Sequence, residues 1–122
     1  MKNVITVLIL LFSSSICAQI PDGVDSPSIK HEADRITNAY DKHLGLTGIQ
    51  FPLFKNKVAD YLKLAQKIKN NNEGREELDA LLELQANETL AMSDILTQAQ
   101  HRVYKRLKST IQPLKVIKVK ED

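Results

Sequence analysis

Leu46-Thr47-Gly48-Ile49-Gln50 and Leu96-Thr97-Gln98-Ala99-Gln100 are two copies of one pattern, Leu-Thr-x-x-Gln, in a chain of 122 residues. A threonine followed three residues later by glutamine is a capping box. The hydroxyl accepts from the backbone N–H at the third helical position, and the glutamine side chain returns to the backbone N–H of the threonine. Helix starts are therefore expected at Thr47 and Thr97, with Leu46 and Leu96 placed to staple onto the first turn. Two such corners 50 residues apart imply a repeated passage from loop to helix.

Hydrophobic spacing extends this reading in both directions. Ser26-Pro27 is an N-cap followed by proline at the first helical position. Ile29, Ala33, Ile36, Ala39 or Tyr40, and Leu44 then form a stripe ending before Gly45, which predicts a first helix over 27–44. The second helix, from Thr47, carries Phe51, Phe54, Val58, Tyr61, Leu62, Ala65 and Ile68 at three-and-four spacing, with Pro52 tolerable in its first turns. The run Asn70-Asn71-Asn72-Glu73-Gly74 breaks the pattern. A third helix is expected over 75–94, with Leu78, Leu82, Gln85, Thr89, Met92 and Leu96 spaced like a heptad seam that Gln85 and Thr89 interrupt. The fourth follows Thr97, presents Val103, Tyr104, Leu107 and Ile111, and stops by Pro113. The expected fold class is all-α, about four helices in antiparallel hairpins, forming a homodimer because so short a chain buries only a modest core. Absence of Trp and 5% aromatic content favour an aliphatic core.

The N-terminus bears on compartment. Met1-Lys2-Asn3 carries one positive charge, Val4 to Phe12 is largely apolar, and Ser13 to Gln19 is rich in small residues. This is the shape of a secretory signal peptide over 1–18, too short to span a membrane, with cleavage after Ala18. Lipidation at Cys17 is disfavoured because Ile16 stands where a small residue is required. Cleavage removes the single cysteine, so no disulfide would hold the exported chain. Residues 19–25 read as a flexible arm, 26–112 as the helical domain, and 113–122 as a basic mobile tail.

In its paired motifs and exportable N-terminus, the chain resembles the periplasmic Spy/CpxP family, which includes zinc- and nickel-responsive relatives. The similarity spans roughly residues 44–108 and is sharpest from Met92 to Tyr104. Where the family often has Leu-Thr-Pro-Glu-Gln, this chain carries Gln98 and Ala99 in the second copy and Gly48 and Ile49 in the first, leaving the capping residues unchanged. The resemblance implies a cradle-shaped helical dimer that holds unfolded periplasmic proteins without ATP, or an envelope-stress adaptor. It points to Phe51, Phe54, Tyr61, Met92 and Tyr104 as client contacts, together with the neighbouring Lys63, Lys67, Arg102, Lys105 and Arg106.

Charge is uneven along the chain although the net charge is only +2, which by itself suggests no nucleic-acid partner. The second helix has Lys55, Lys57, Lys63, Lys67 and Lys69 against Asp60. The fourth has Arg102, Lys105, Arg106 and Lys108 with no acid, while the third has Glu76, Glu77, Asp79, Glu83, Glu88 and Asp94 against Arg75. Weak solvated pairs are the simplest expectation. The alternative is a basic, partly apolar surface that draws in acidic or unfolded chains.

Two further functions compete with a holdase: a periplasmic metal-responsive sensor domain, and a regulatory binder of a membrane sensor kinase. His31, His43 and His101 are the only histidines and form no His-x-x-x-His pair, so they make a weak ligand set. No phosphate loop or nucleophile elbow is present, so neither an enzyme nor a cofactor is expected. Asn87-Glu88-Thr89 matches a glycosylation sequon but falls within an expected helix of an exported bacterial-type chain, and reads as accidental.

Overall fold

A computed structural model describes residues 27–114 and contains, among them, four helices and no strands. The signal peptide, Cys17, the 19–25 arm, the Ser26 cap and the tail after Leu114 lie outside the described residues. The helices are α1 (Pro27–Leu44), α2 (Gln50–Asn71), α3 (Gly74–Met92) and α4 (Gln98–Ile111).

Helix α1 matches its expected limits. Ala33, Ile36, Thr37, Tyr40 and Leu44 are buried at three-and-four spacing, so one stripe faces inward. It ends at Gly45, whose φ of 63° is a left-handed conformation that glycine adopts without a Cβ penalty. The Gly45 N–H donates to the Asp41 carbonyl at 3.0 Å. The Asp41 side chain then accepts from the Leu46 N–H at 2.7 Å, turning the chain toward the first Leu-Thr-x-x-Gln copy.

Both capping boxes form. Thr97 is the N-cap of α4: its hydroxyl accepts from the Gln100 N–H at 3.1 Å, and its own N–H donates to Gln100 Oε1 at 2.9 Å. Thr47 and Gln50 repeat this at 3.1 and 3.0 Å. Regular α2 nevertheless begins at Gln50 rather than Thr47, because Gly48 and Ile49 form a turn in place of better helix formers. The Phe51 N–H still reaches the Thr47 carbonyl at 3.0 Å, as the His101 N–H reaches Thr97 at 2.8 Å.

The two boxes also join each other. Gln50 Nε2 donates to Gln100 Oε1 at 2.8 Å, and Gln100 Nε2 donates to Gln50 Oε1 at 3.1 Å. Each amide has one N–H left, and these go to the Ile95 carbonyl at 3.0 Å and the Leu44 carbonyl at 3.2 Å. Every donor and both acceptor positions of the two side-chain amides are thus used.

The asparagine break is narrower than expected. Helix α2 runs through Asn71, Asn72 and Glu73 are extended, and Gly74 takes φ 64° as α3 begins. Asn72 closes α2 through its backbone N–H and its side-chain amide, both donating to the Ile68 carbonyl at 3.0 Å. Helix α3 stops at Met92 instead of residue 94, since Ser93 and Asp94 tighten into bonds three residues back, to Leu90 and Ala91.

The expected α3 seam is corrected by the packing. Leu82 is 49% exposed, and the buried α3 positions are Glu77, Leu81, Glu88 and Met92. The helix is rotated from the apolar heptad, with Glu88 turned inward to Lys108 and Leu82 turned outward.

Helix α1 packs against both α2 and α4, and α2 packs against α3. At the centre Tyr40, Phe54 and Tyr104 form an aromatic triangle with ring centroids 5.4, 4.9 and 5.8 Å apart, and Met92 is fully buried in the same cluster. Edge-on and tilted ring pairs contribute roughly 0.5–1.5 kcal/mol each beyond area burial.

Replacing Gln50 or Gln100 with Ala should each cost about 2 kcal/mol, because several hydrogen bonds are lost and a backbone carbonyl is left unpaired. The double variant should cost clearly less than the sum, since both changes break the same bonds. Urea denaturation of the four proteins measures that coupling.

Candidate functional site

The structure divides the residues singled out as client contacts. Phe54, Met92 and Tyr104 are completely buried, so as folded they are core side chains and not a surface for clients. Their helical spacing, common to core stripes and binding stripes, could not tell the two apart. Phe51, Tyr61 and Lys63 are half-buried, whereas Lys67, Arg102, Lys105 and Arg106 are exposed. In the capping motifs Leu96 is buried and Leu46 packs against the core, while Thr47 and Thr97 are exposed beside half-buried Gln50 and Gln100.

His31 and His43 are exposed on α1. His101 donates from Nε2 to the Thr89 carbonyl at 2.7 Å and stacks on Tyr104 at 5.9 Å. Among the described residues no three His, Cys, Asp or Glu side chains converge as metal ligands.

What the structure does assemble is a buried polar chain between α3, α4 and α1. Lys108 Nζ donates to Glu88 Oε1 at 2.8 Å and to the Tyr104 hydroxyl at 2.8 Å, and lies 4.9 Å from the centroid of that ring. Tyr40 donates its hydroxyl hydrogen to Gln112 Oε1 at 2.7 Å, and Gln112 Nε2 approaches Glu88 Oε1 at 3.4 Å. Gln85 Nε2 fastens the same end of the chain by donating to the Gln112 carbonyl at 2.9 Å. Charge contrast between α3 and α4 thus resolves into one buried pair. The partly exposed pairs, Lys55 with Asp34 at 2.8 Å and Lys63 with Asp60 at 3.6 Å, are of the weak surface kind.

Sequence reasoning grouped Glu88 and Lys108 with solvated charges. The available signal was positional: Lys108 falls on the stripe of Tyr104 and Ile111, and Glu88 falls seven residues after Leu81 and four before Met92. A charge on an apolar stripe needs a partner inside.

The electrostatics follow from burial. Tyr40 and Tyr104 are pushed far above the ordinary phenol value of 10.0, first by desolvation and then by the Glu88 charge. Desolvation also lowers Lys108 below 10.5, opposed by the charge and hydrogen bond of Glu88.

Beside this chain lies a cavity of about 600 Å³. Leu62 of α2, Leu81 and Glu88 of α3, and Ile111 and Leu114 at the end of the described chain contribute to its lining. The second carboxylate oxygen of Glu88, Oε2, is buried with no hydrogen-bond partner among the described residues.

Lys108→Met should destabilise the protein by about 3 kcal/mol or more, because Glu88 is left as an uncompensated buried charge. Pairing it with Glu88→Leu should recover most of that loss, which chemical denaturation of both variants measures. The tyrosines set an alkaline limit. Unfolded phenols ionise above about pH 10 while the folded ones stay protonated, so their stabilising contribution is lost as pH rises past that value. Lys108 has the opposite sign, adding stability with rising pH only up to its unfolded value of 10.5. Above pH 10.5 stability should therefore fall steeply, with helical circular dichroism and tyrosinate absorbance changing together.

Compared with known protein families, curated proteins and solved structures, this chain matches none.

Proposed function

We propose that this chain is an exported, ATP-independent binding protein of the holdase or envelope-stress adaptor type, which engages unfolded or partly folded periplasmic proteins. The observation that carries the reading is one outward face of α2 and the turn before it. Ile49, Leu53 and Leu64 are 78%, 50% and 45% exposed there, on the same helical stripe as Lys57, Asp60 and Lys67. Four-and-three spacing sets these six side chains along one side of the helix. Leu82 and Leu90, also exposed, continue the pattern of isolated aliphatic groups among charges on α3.

Such a surface suits a sequence-tolerant client. Lysines raise the encounter rate with acidic or extended chains, and separated leucines offer apolar contact without a continuous patch that would bind too tightly. The capping motifs that carry the resemblance to Spy/CpxP proteins, and the signal-like residues 1–18, favour the same reading. It includes helices paired in antiparallel hairpins and a homodimer that presents the α2 faces of two copies. Client contact then rests on Ile49, Leu53 and Leu64 with Lys57 and Lys67, rather than on Phe54, Met92 and Tyr104.

The test is aggregation of a chemically denatured client diluted into buffer with stoichiometric amounts of the exported form, without nucleotide. Light scattering should fall, the protection should weaken at high salt, and the triple variant Ile49→Ser, Leu53→Ser, Leu64→Ser should lose most of it while keeping its helicity. Undiminished scattering at several-fold excess of the folded protein would sink the proposal.

A further inference from the structure

Charge is segregated along the chain more sharply than a net value of +2 suggests. Between Asp94 and Glu121 there is no acidic residue, while α4 carries Arg102, Lys105, Arg106 and Lys108, and Lys115, Lys118 and Lys120 follow it in the sequence. Of the α4 cations Lys108 is buried and paired with Glu88 at 2.8 Å. The side chains of Arg102, Lys105 and Arg106 are exposed and have no ion-pair partner among the described residues. Elsewhere Arg35 of α1 is held by Glu32, and Lys55 and Lys63 of α2 are held by Asp34 and Asp60.

Three-and-four spacing sets Arg102, Lys105, Arg106 and Ser109, all exposed, along one side of α4. The apolar side chains of that helix, Val103, Leu107 and Ile111, are packed against the core. The large exposed aliphatic groups are Ile49, Leu53, Leu64, Leu82 and Leu90, and none of them is on α4. The outer side of α4 is therefore a convex ridge of three cations without an apolar anchor, and it recognises a partner by charge. A single small anion would meet one solvated side chain at a time and gain little. A surface carrying many fixed anions meets all three together.

We propose that this ridge docks the protein on the anionic headgroups of a phospholipid bilayer. A membrane surface is the polyanion that a chain with the signal-like residues 1–18 meets, so the choice of lipid rests on the exported reading given above. The sequence beyond the described residues favours the same partner. Lys115, Lys118 and Lys120 are interleaved there with Val116, Ile117 and Val119, aliphatic groups that suit a lipid interface and offer a nucleic-acid base no ring to stack on. Each cation held near an anionic bilayer strengthens binding about fivefold, so the three of the ridge supply a factor on the order of 100. The ridge and the exposed α2 face belong to different helices and are separate surfaces.

The test is co-sedimentation of the folded protein with vesicles of phosphatidylcholine alone and of phosphatidylcholine mixed equally with phosphatidylglycerol. The protein should bind the mixed vesicles only, and should leave them as salt rises to about 1 M, where screening acts within about 3 Å. The triple variant Arg102→Gln, Lys105→Gln, Arg106→Gln should bind on the order of 100-fold more weakly with its helicity unchanged. The variant Lys57→Gln, Lys67→Gln, Lys69→Gln removes the same charge from α2 and should keep most of the binding. Equal weakening by the two triple variants, equal binding to both kinds of vesicle, or no binding to the mixed vesicles at low salt would each overturn the proposal. Tighter binding to polyglutamate or to duplex DNA than to the mixed vesicles at one salt concentration would do the same. No client is present in this experiment and no lipid in the aggregation assay, so each proposal can fail alone.

Discussion

The reciprocal amide pair of Gln50 and Gln100 is the constraint on which the arrangement of the helices rests. Each glutamine closes its own capping box, exchanges hydrogen bonds with the other, and takes up a backbone carbonyl near the opposite corner. Side-chain amides have two acceptor lone pairs and two N–H groups, and here all are occupied. Because the first residues of α2 and α4 are tied directly together, the separation of those two helix starts is fixed by bond lengths and not only by packing. Helix α1 ends at the same place, since Gln100 bonds the Leu44 carbonyl and Gly45 turns the chain there.

From that corner the interior changes character along α4. Tyr104 belongs to the aromatic triangle with Tyr40 and Phe54, yet its hydroxyl begins the polar chain through Lys108 to Glu88. A small all-helical protein without a disulfide among its described residues would be more easily stabilised by aliphatic packing at this point, since buried ion pairs gain little over apolar replacements. What the pair does supply is register: only one rotation of α3 brings Glu88 to Lys108, and that rotation leaves Leu82 in solvent. The same rotation sets the Glu88 carboxylate in the cavity lining.

Much of the architecture was legible from local chemistry. The limits of α1 followed from Pro27 and Gly45, the start of α4 and the corner ahead of α2 from the threonine-glutamine boxes, and the break near Asn72 from its asparagines. Less was legible about faces. Phe54, Met92 and Tyr104 were offered as surface contacts and are core, because periodicity gives which residues share a stripe and not what covers that stripe. On α3 the apolar heptad and the buried set differ by a rotation that depends on Lys108, twenty residues away.

The amino-acid sequence alone therefore determined the number of helices among the described residues, the limits of α1, the start of α4 and the capping chemistry at two corners, since these depend on bonds between residues a few positions apart. Tertiary structure decided that the two capping glutamines bond each other, that one acid and one lysine are buried together, and which leucines remain in solvent. Those outcomes depend on groups 20 to 50 residues apart meeting at hydrogen-bond distance. No local pattern encodes such a meeting, because it exists only when the helices that carry both groups are packed.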